Sequence, residues 1–344
     1  MKQLLNTLYV TTQGTWLARE RENVLVRVEK ETRLRLPIHT LGAIVCFGQI
    51  SASAPLMGLC AERGVALAFL TEWGRFLARV HGPVSGNVLM RRQQYRWADD
   101  PDQTAHIVRI LVAAKIANSR TVLQRALRDR PEANGSQSIK AAVDHLATLQ
   151  RGVLGRDEGV DSIRGCEGAA AKAYFEVFDY LITHQNETFR FAGRSRRPPL
   201  DAVNALLSFL YTLLMQDVVA ALECVGLDPS VGFLHRDRPG RPGLALDLME
   251  ELRPFLADRL VLSLINRKQV AVNGFTTTES GAVTMDDATR KAVLVAWQER
   301  KRDTLRHPFL EEEIELGLLP HLQAQLMARY IRGDLDAYPA FIWR

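Results

Sequence analysis

Residues 202–224, AVNALLSFLYTLLMQDVVAALEC, decide the fold of this chain. The stretch is apolar on nearly every side of a helix, so we predict a helix at the centre of a larger helical domain. Asp201 stands where it can cap the first turn. Asn204, Ser208 and Tyr211 form one polar stripe on the rod, which predicts an internal hydrogen-bond network because buried polar groups need partners. The same stripe could also face a functional site.

Helical periodicity continues on both sides of this helix. A small hairpin is expected over 270–285, where Asn273-Gly274 and Ser280-Gly281 supply turns. The other predicted helices are 87–98, 102–129, 137–150, 165–184, 247–258 and 286–303.

The start of the chain follows a different pattern, with short apolar–polar alternation and one embedded helix. We therefore predict an α+β protein, in which a small N-terminal β-rich domain over 1–81 precedes a larger all-helical domain over 91–344. Gly82, Pro83 and Gly86 break the pattern and place a linker at 82–90. A small open sheet must cover its edges, so the β-rich domain is expected to dimerise.

Composition narrows the functional classes. The 344 residues include 44 Lys and Arg against 39 Asp and Glu, and a net charge of +5 modestly favours an anionic partner. The four cysteines form no CxxC pair, which is typical of a reduced, cytoplasmic protein. No secretory leader is recognised, and no apolar run is expected to approach membrane-spanning length, so no membrane partner is predicted.

Three separate segments carry side chains suited to a hard metal ion. Glu167 lies in the small-residue run Gly165–Gly168, His235 ends an apolar run, and Asp247 and Glu250 share one face of a predicted helix. Carboxylates with one imidazole suit Mg²⁺ or Mn²⁺, and the chemistry they indicate is phosphoryl transfer. Such acids also commonly serve as helix caps or dipole partners, so spacing alone leaves both interpretations open.

A basic loop precedes the central helix and is interleaved with phenylalanines and prolines. Arginines bind phosphates through their charge and planar donor fork, which makes the loop a candidate for contacts with the DNA backbone. The alternative is a solvated loop. The candidate DNA-binding residues are Arg190, Arg194, Arg196 and Arg197.

Four motifs stand out together: Gly165–Phe175, Ser195–Leu207, Gly232–His235 and Asp247–Glu250. They resemble the Cas-one family of CRISPR-associated adaptation integrases, and the resemblance covers essentially the whole chain. The opening LLNTLYVTTQG and the closing residues from His307 onwards further resemble the subtype that accompanies type I-C systems.

The resemblance implies roles for single residues. The family's metal-binding glutamate falls on Glu167, its histidine on His235, and its third acid, often an aspartate, on Glu250. Asp247 either supports these ligands or is itself the third ligand. Asn204 and Tyr211 are further candidates for supporting the site.

The resemblance also implies a function and partners. The helical domain would be catalytic, and it would join the 3′-hydroxyl ends of captured double-stranded DNA to the CRISPR repeat by transesterification, as part of antiviral defence. The family acts as homodimers bridged by a small second adaptation protein in a hetero-hexamer. Two alternatives remain: a stand-alone metal-dependent nuclease that acts on branched DNA in repair, and a non-catalytic DNA scaffold.

Overall fold

The computed structural model describes residues 7–80, 82, 88–155, 159–185 and 188–343. The chain divides into two compact units. The first, here called the N-terminal unit, comprises Met1–Ser85 together with Trp297–Asp303 and Glu315–Leu318; the rest forms the helical unit. The predicted α+β class is confirmed, with strands first and a mostly helical part after them.

The N-terminal unit is built on two four-stranded sheets. One has the order β1-β5-β7-β8 and the other β4-β3-β2-β6, and both enclose a core that includes Leu17, Ile44 and Leu59. The chain turns back before residue 76, because β7 and β8 pair antiparallel. The elements are β1 (Thr7–Val10), β2 (Trp16–Glu20), β3 (Asn23–Val28), β4 (Glu31–Pro37), β5 (Ala43–Phe47), β6 (Ser51–Ala52), α1 (Ala54–Arg63), β7 (Ala66–Leu70) and β8 (Phe76–Val80).

The remaining elements are mostly helices, with two short strand pairs. The predicted hairpin is confirmed as the antiparallel pair β9–β10. The elements are α2 (Val88–Asp99), α3 (Pro101–Asp129), α4 (Ser136–Gly155), α5 (Val160–Glu176), α6 (Ala202–Val225), α7 (Gly243–Met249), α8 (Arg259–Asn266), β9 (Phe275–Thr277), β10 (Val283–Met285), α9 (Asp287–Arg302), β11 (Thr304–Arg306), β12 (Glu313–Glu315) and α10 (Leu319–Arg332).

Helix α6 is the central rod that the sequence predicts. The Asp201 side chain accepts a bond from Asn204 N at 2.7 Å, and the helix ends at Gly226, whose φ of 84° suits a glycine. By length and composition α6 could cross a membrane, so the expectation that no apolar run reaches that length was wrong. Most of its apolar side chains are nevertheless buried inside the helical unit, as in the core helix of a globular domain.

Three boundaries differ from prediction. The helix expected over 165–184 is observed as α5, which begins at Val160 and ends at Glu176, and a 3₁₀ turn at Phe178–Leu181 follows it. The helix expected over 247–258 is interrupted after α7, since Pro254 has no N–H to continue the ladder, and a π-helical turn at Pro254–Asp258 leads into α8. Within the predicted linker, residues 83–87 lie outside the described part of the chain, and 88–90 already belong to α2.

Candidate active site

Asp247 holds His235 in a defined orientation. The Asp247 carboxylate on α7 is fully buried and accepts bonds from Phe233 N at 2.5 Å and Leu234 N at 2.9 Å on one oxygen. Its other oxygen accepts from His235 N at 3.0 Å and from His235 Nδ1 at 2.6 Å. A carboxylate can only accept, so Nδ1 carries the proton and Nε2 presents its lone pair. All four bonds engage Asp247, which therefore acts on His235 and is not placed as a free ligand.

Two features fix the loop that carries His235. A Cβ at Gly232 would lie 2.5 Å from Gly243 C and 2.7 Å from Asp247 Oδ2, so the loop can pass this close to α7 only with a glycine. The buried Gln94 of α2 donates from Nε2 to Asp228 O and Val231 O, both at 2.8 Å. The loop is thus held from both sides before it reaches the imidazole.

Glu250 lies one turn after Asp247 and is only 2% exposed. Its Oε1 is 2.7 Å from Arg253 Nη1 and 3.9 Å from His235 Nε2, and its Oε2 is 2.6 Å from Lys115 Nζ. Burial alone would raise the pKa of Glu250, but the adjacent cations Arg253 and Lys115 lower it to about 2. Glu250 is therefore a carboxylate at any ordinary pH.

Glu167 reaches the same point from α5. Its Oε1 pairs with the ammonium of Lys115 on α3, so Lys115 contacts both Glu167 and Glu250. At Gly165 and Gly168 an added Cβ would meet no atom within 4 Å, so these positions of α5 face open space, not a closely packed helix. Lys115 thus connects Glu167 to Glu250, whose other carboxylate oxygen lies 3.9 Å from Nε2 of His235.

Glu167, Glu250 and His235 carry donor atoms that suit a divalent ion, but they are too far apart in this arrangement to coordinate one together. Within the ranges that the structure describes, no three His, Cys, Asp or Glu side chains are close enough together to hold a metal ion. The Lys115 ammonium contacts the two carboxylates, and the His235 Nε2 lone pair faces Glu250 Oε1. Two carboxylates and one imidazole are the ligands of Mg²⁺ or Mn²⁺ sites, so the residues fit such an ion chemically.

The polar stripe on α6 forms an internal network, as predicted. Asn204 Oδ1 accepts from Arg194 Nη1 at 2.6 Å, and Ser208 Oγ accepts from Arg194 Nη2 at 3.2 Å. Tyr211 donates to Asp258 Oδ1 at 2.6 Å, and its ring lies 5.0 Å from the guanidinium carbon of Arg253. The stripe therefore reaches the site through Arg253, which pairs with Glu250.

The basic loop divides into two groups. Arg194, expected to contact DNA, instead turns inward onto Asn204 and Ser208, since a half-buried guanidinium needs acceptors and α6 supplies them. These bonds give Arg194 a structural role, and its contact with DNA stays a prediction. The other three arginines are exposed: Arg190, Arg196 and Arg197.

A cleft of about 920 Å³ opens beside His235. It is lined by the end of α2, the starts of α3 and α5, and the loop over 231–237; Glu167 and Glu250 are not among its lining residues. On its wall Asp161 Oδ1 accepts from Arg164 Nη1 at 2.6 Å and from Arg236 Nη2 at 2.9 Å. The His235 side chain therefore belongs to the wall of a cleft that also carries charged groups.

Sequence reasoning missed Lys115, Arg253, Arg164 and Arg236. A signal existed for the first, since Lys115 is the lone charge in the apolar run LVAAKIAN of α3, and a buried charge requires a partner. Arg253 stands three residues after Glu250, a spacing that pairs side chains on one helical turn.

Comparisons with known proteins identify the family of this chain. The profile described as CRISPR associated protein Cas1 matches residues 8–299. The "CRISPR-associated endonuclease Cas1 1" of Chlorobaculum tepidum is 55% identical over 346 residues, with both chains fully covered. A Cas1 structure from Thermotoga maritima aligns with a TM-score of 0.81 at 21% identity, covering 95% of this chain and 97% of that one. A structure of a casposase bound to integration product aligns with a TM-score of 0.82 at 21% identity, covering 98% of this chain and 94% of that one. The chain belongs to the CRISPR-associated Cas1 endonuclease family.

Proposed function

We propose that this protein is a metal-dependent DNA integrase and endonuclease of CRISPR spacer acquisition. It joins the 3′-hydroxyl ends of captured double-stranded DNA to the repeat array by transesterification, in which one phosphodiester replaces another. The observation that carries the proposal is that Glu250 shares Lys115 with Glu167 through one oxygen and lies 3.9 Å from Nε2 of His235 through the other. Family membership supports the same activity.

Glu167, Glu250 and His235 Nε2 are the proposed ligands of Mg²⁺ or Mn²⁺. When bound, such an ion would supply Lewis-acid chemistry that polarises the phosphodiester and neutralises charge on the leaving oxygen. The protein supplies orientation: the Asp247 carboxylate keeps the proton on Nδ1 of His235, so Nε2 remains a lone-pair donor. Arg253 holds Oε1 of Glu250 at 2.7 Å and, with Lys115, keeps this acid ionised in spite of its burial.

DNA contact is assigned to the exposed arginines near the site. Arg196 and Arg197 precede α6, and Arg190 lies a few residues earlier. Arg164 and Arg236 line the cleft beside His235 and offer further donors for phosphate oxygens. Phosphate contacts position DNA without reading its sequence, as a protein that accepts many different spacers requires.

The proposed working form is a homodimer joined through the N-terminal unit. Its described surface exposes large apolar side chains, including Trp73 at 59% and Leu77 at 53%. A two-fold partner would cover such groups and place two active sites on two DNA ends. The family resemblance supports a cytoplasmic hetero-hexamer with a small adaptation protein and the type I-C subtype.

The test is a strand-transfer assay with purified protein, its adaptation partner, labelled DNA and repeat DNA. In Mg²⁺ or Mn²⁺ we expect joined product from fragments that end in a 3′-hydroxyl and no joining from 3′-deoxy fragments. Cleavage of branched DNA without joining would identify a stand-alone nuclease, in which water is the attacking group. DNA binding without any metal-dependent product would identify a scaffold.

A further inference from the structure

Lys115 has an unusual place in the site. It lies on α3 within a run of buried apolar residues, and its side chain is only 11% exposed. Its ammonium pairs with Oε1 of Glu167 and lies 2.6 Å from Oε2 of Glu250. One lysine thus bridges two carboxylates that come from two different helical segments.

The charges around Lys115 are nearly balanced. Three carboxylates, those of Glu167, Asp247 and Glu250, lie with two basic side chains, Lys115 and Arg253. Arg253 pairs with Oε1 of Glu250, whereas Lys115 pairs with Oε2 and with Glu167. Without Lys115, the two proposed ligand carboxylates would keep, within the described part of the chain, only Arg253, which pairs with Glu250, as a cationic partner, and buried like charges repel.

We infer that Lys115 is an internal counter-cation that competes with the divalent ion for Glu167 and Glu250. This inference rests on the proposed function, since it assumes that the two carboxylates bind metal. An ammonium and a divalent ion cannot both occupy the space between the same two oxygens. Metal loading therefore requires Lys115 to withdraw, and Lys115 sets the metal concentration at which the site fills.

The competition also has a structural consequence. In the metal-free protein the lysine neutralises the two acids and keeps α3, α5 and the turn after α7 together. Its removal should loosen the metal-free protein and tighten metal binding at the same time. A lysine that merely packed in the core would give the first effect without the second.

The experiment compares wild type with Lys115→Gln, which removes the charge but keeps a donor, and Lys115→Arg, which keeps the charge. Lys172→Gln is the matched control, because the Lys172 side chain on α5 is 78% exposed and its Nζ lies as far as 3.7 Å from Oε1 of its partner Glu176. Mn²⁺ affinity is measured by calorimetry, and thermal unfolding is followed with and without Mn²⁺.

We expect Lys115→Gln to bind Mn²⁺ roughly tenfold or more tightly than wild type, because a unit charge and a dication a few ångströms apart repel even in a water-like dielectric. Its Tm should fall without metal and recover in saturating Mn²⁺. Lys115→Arg and Lys172→Gln should stay close to wild type in affinity. Equal or weaker Mn²⁺ binding by Lys115→Gln would overturn the inference while leaving the proposed metal site intact.

A second measurement needs no variant. Lysine acylation of the wild-type protein, read by mass spectrometry, should modify Lys115 slowly without metal and several-fold faster in saturating Mn²⁺, with Lys172 as the internal reference. Unchanged reactivity of Lys115 in a protein that binds Mn²⁺ would overturn the inference. Absence of Mn²⁺ binding by wild type would instead overturn the proposed function, and the competition with it.

Discussion

Asp247→Asn is the most informative single perturbation of this site. The carboxylate accepts four bonds on two oxygens, from Phe233 N, Leu234 N, His235 N and His235 Nδ1. Asparagine keeps the shape but offers one acceptor oxygen, so its amide nitrogen must face two donors. Two bonds to a charged group, each contributing about 1.5–3 kcal/mol, are lost, and the expected cost is about 3–6 kcal/mol of unfolding free energy.

Urea unfolding measures this cost against a matched control. Asp237→Asn changes an exposed acid close to the same loop and should stay within about 0.5 kcal/mol of wild type. His235→Ala removes only the bond from Nδ1, and the double variant with Asp247→Asn should show a coupling of about 1–3 kcal/mol. Strand transfer should also fall, because the tautomer of His235 is no longer fixed. An unfolding free energy of Asp247→Asn within about 1 kcal/mol of the wild-type value would refute the claim that the four bonds to this carboxylate stabilise the fold.

Three further predictions concern other parts of the helical unit. Burial raises the pKa of Glu251 from 4.5 to about 7 despite three hydrogen bonds, so the folded state binds this proton more tightly than the unfolded state does. The free energy of unfolding should therefore fall as pH rises from 4.5 to 7, and Glu251→Gln should remove this part of the pH dependence in unfolding curves measured across the range. The guanidinium carbons of Arg125 and Arg259 lie 3.8 and 4.3 Å from the ring centroid of Trp343. Trp343→Ala should therefore lower the free energy of unfolding in urea by about 3–5 kcal/mol, whereas Ile342→Ala, at the exposed neighbouring position, should lower it by under about 1 kcal/mol. The three exposed arginines of the basic loop are Arg190, Arg196 and Arg197. Replacing all three with alanine should weaken DNA binding and make the slope of log affinity against log salt concentration shallower by about three, whereas an unchanged slope would show a solvated loop.

The sequence predicts the elements whose signal is local. Helix α6 is nearly all apolar over its whole length, and its polar stripe needs internal partners whatever surrounds it, so both predictions are confirmed. The break after α7 was missed because the run looks continuously helical, although Pro254 marks the point where the backbone changes.

The site could be predicted only in part, because its remaining contacts depend on tertiary packing. Motifs identify Glu167, His235 and Glu250, yet the sequence leaves the role of Asp247 open until the four bonds to its carboxylate are seen. Likewise, sequence cannot distinguish Arg194, which turns onto α6, from its exposed neighbours. Lys115 lies more than fifty residues before Glu167, and only the packing of α3 against α5 brings the two together.

The central claim is that Glu167, His235 and Glu250 act as one metal-dependent site. Its most direct test is strand transfer by Glu167→Gln at saturating Mn²⁺, with DNA affinity measured on the same preparation. Glutamine keeps the size of the side chain and removes the charge that a divalent ion requires. The account predicts that joined product is lost while DNA affinity stays within about twofold of wild type. Normal joining by Glu167→Gln, with wild-type dependence on Mn²⁺ concentration, would contradict it.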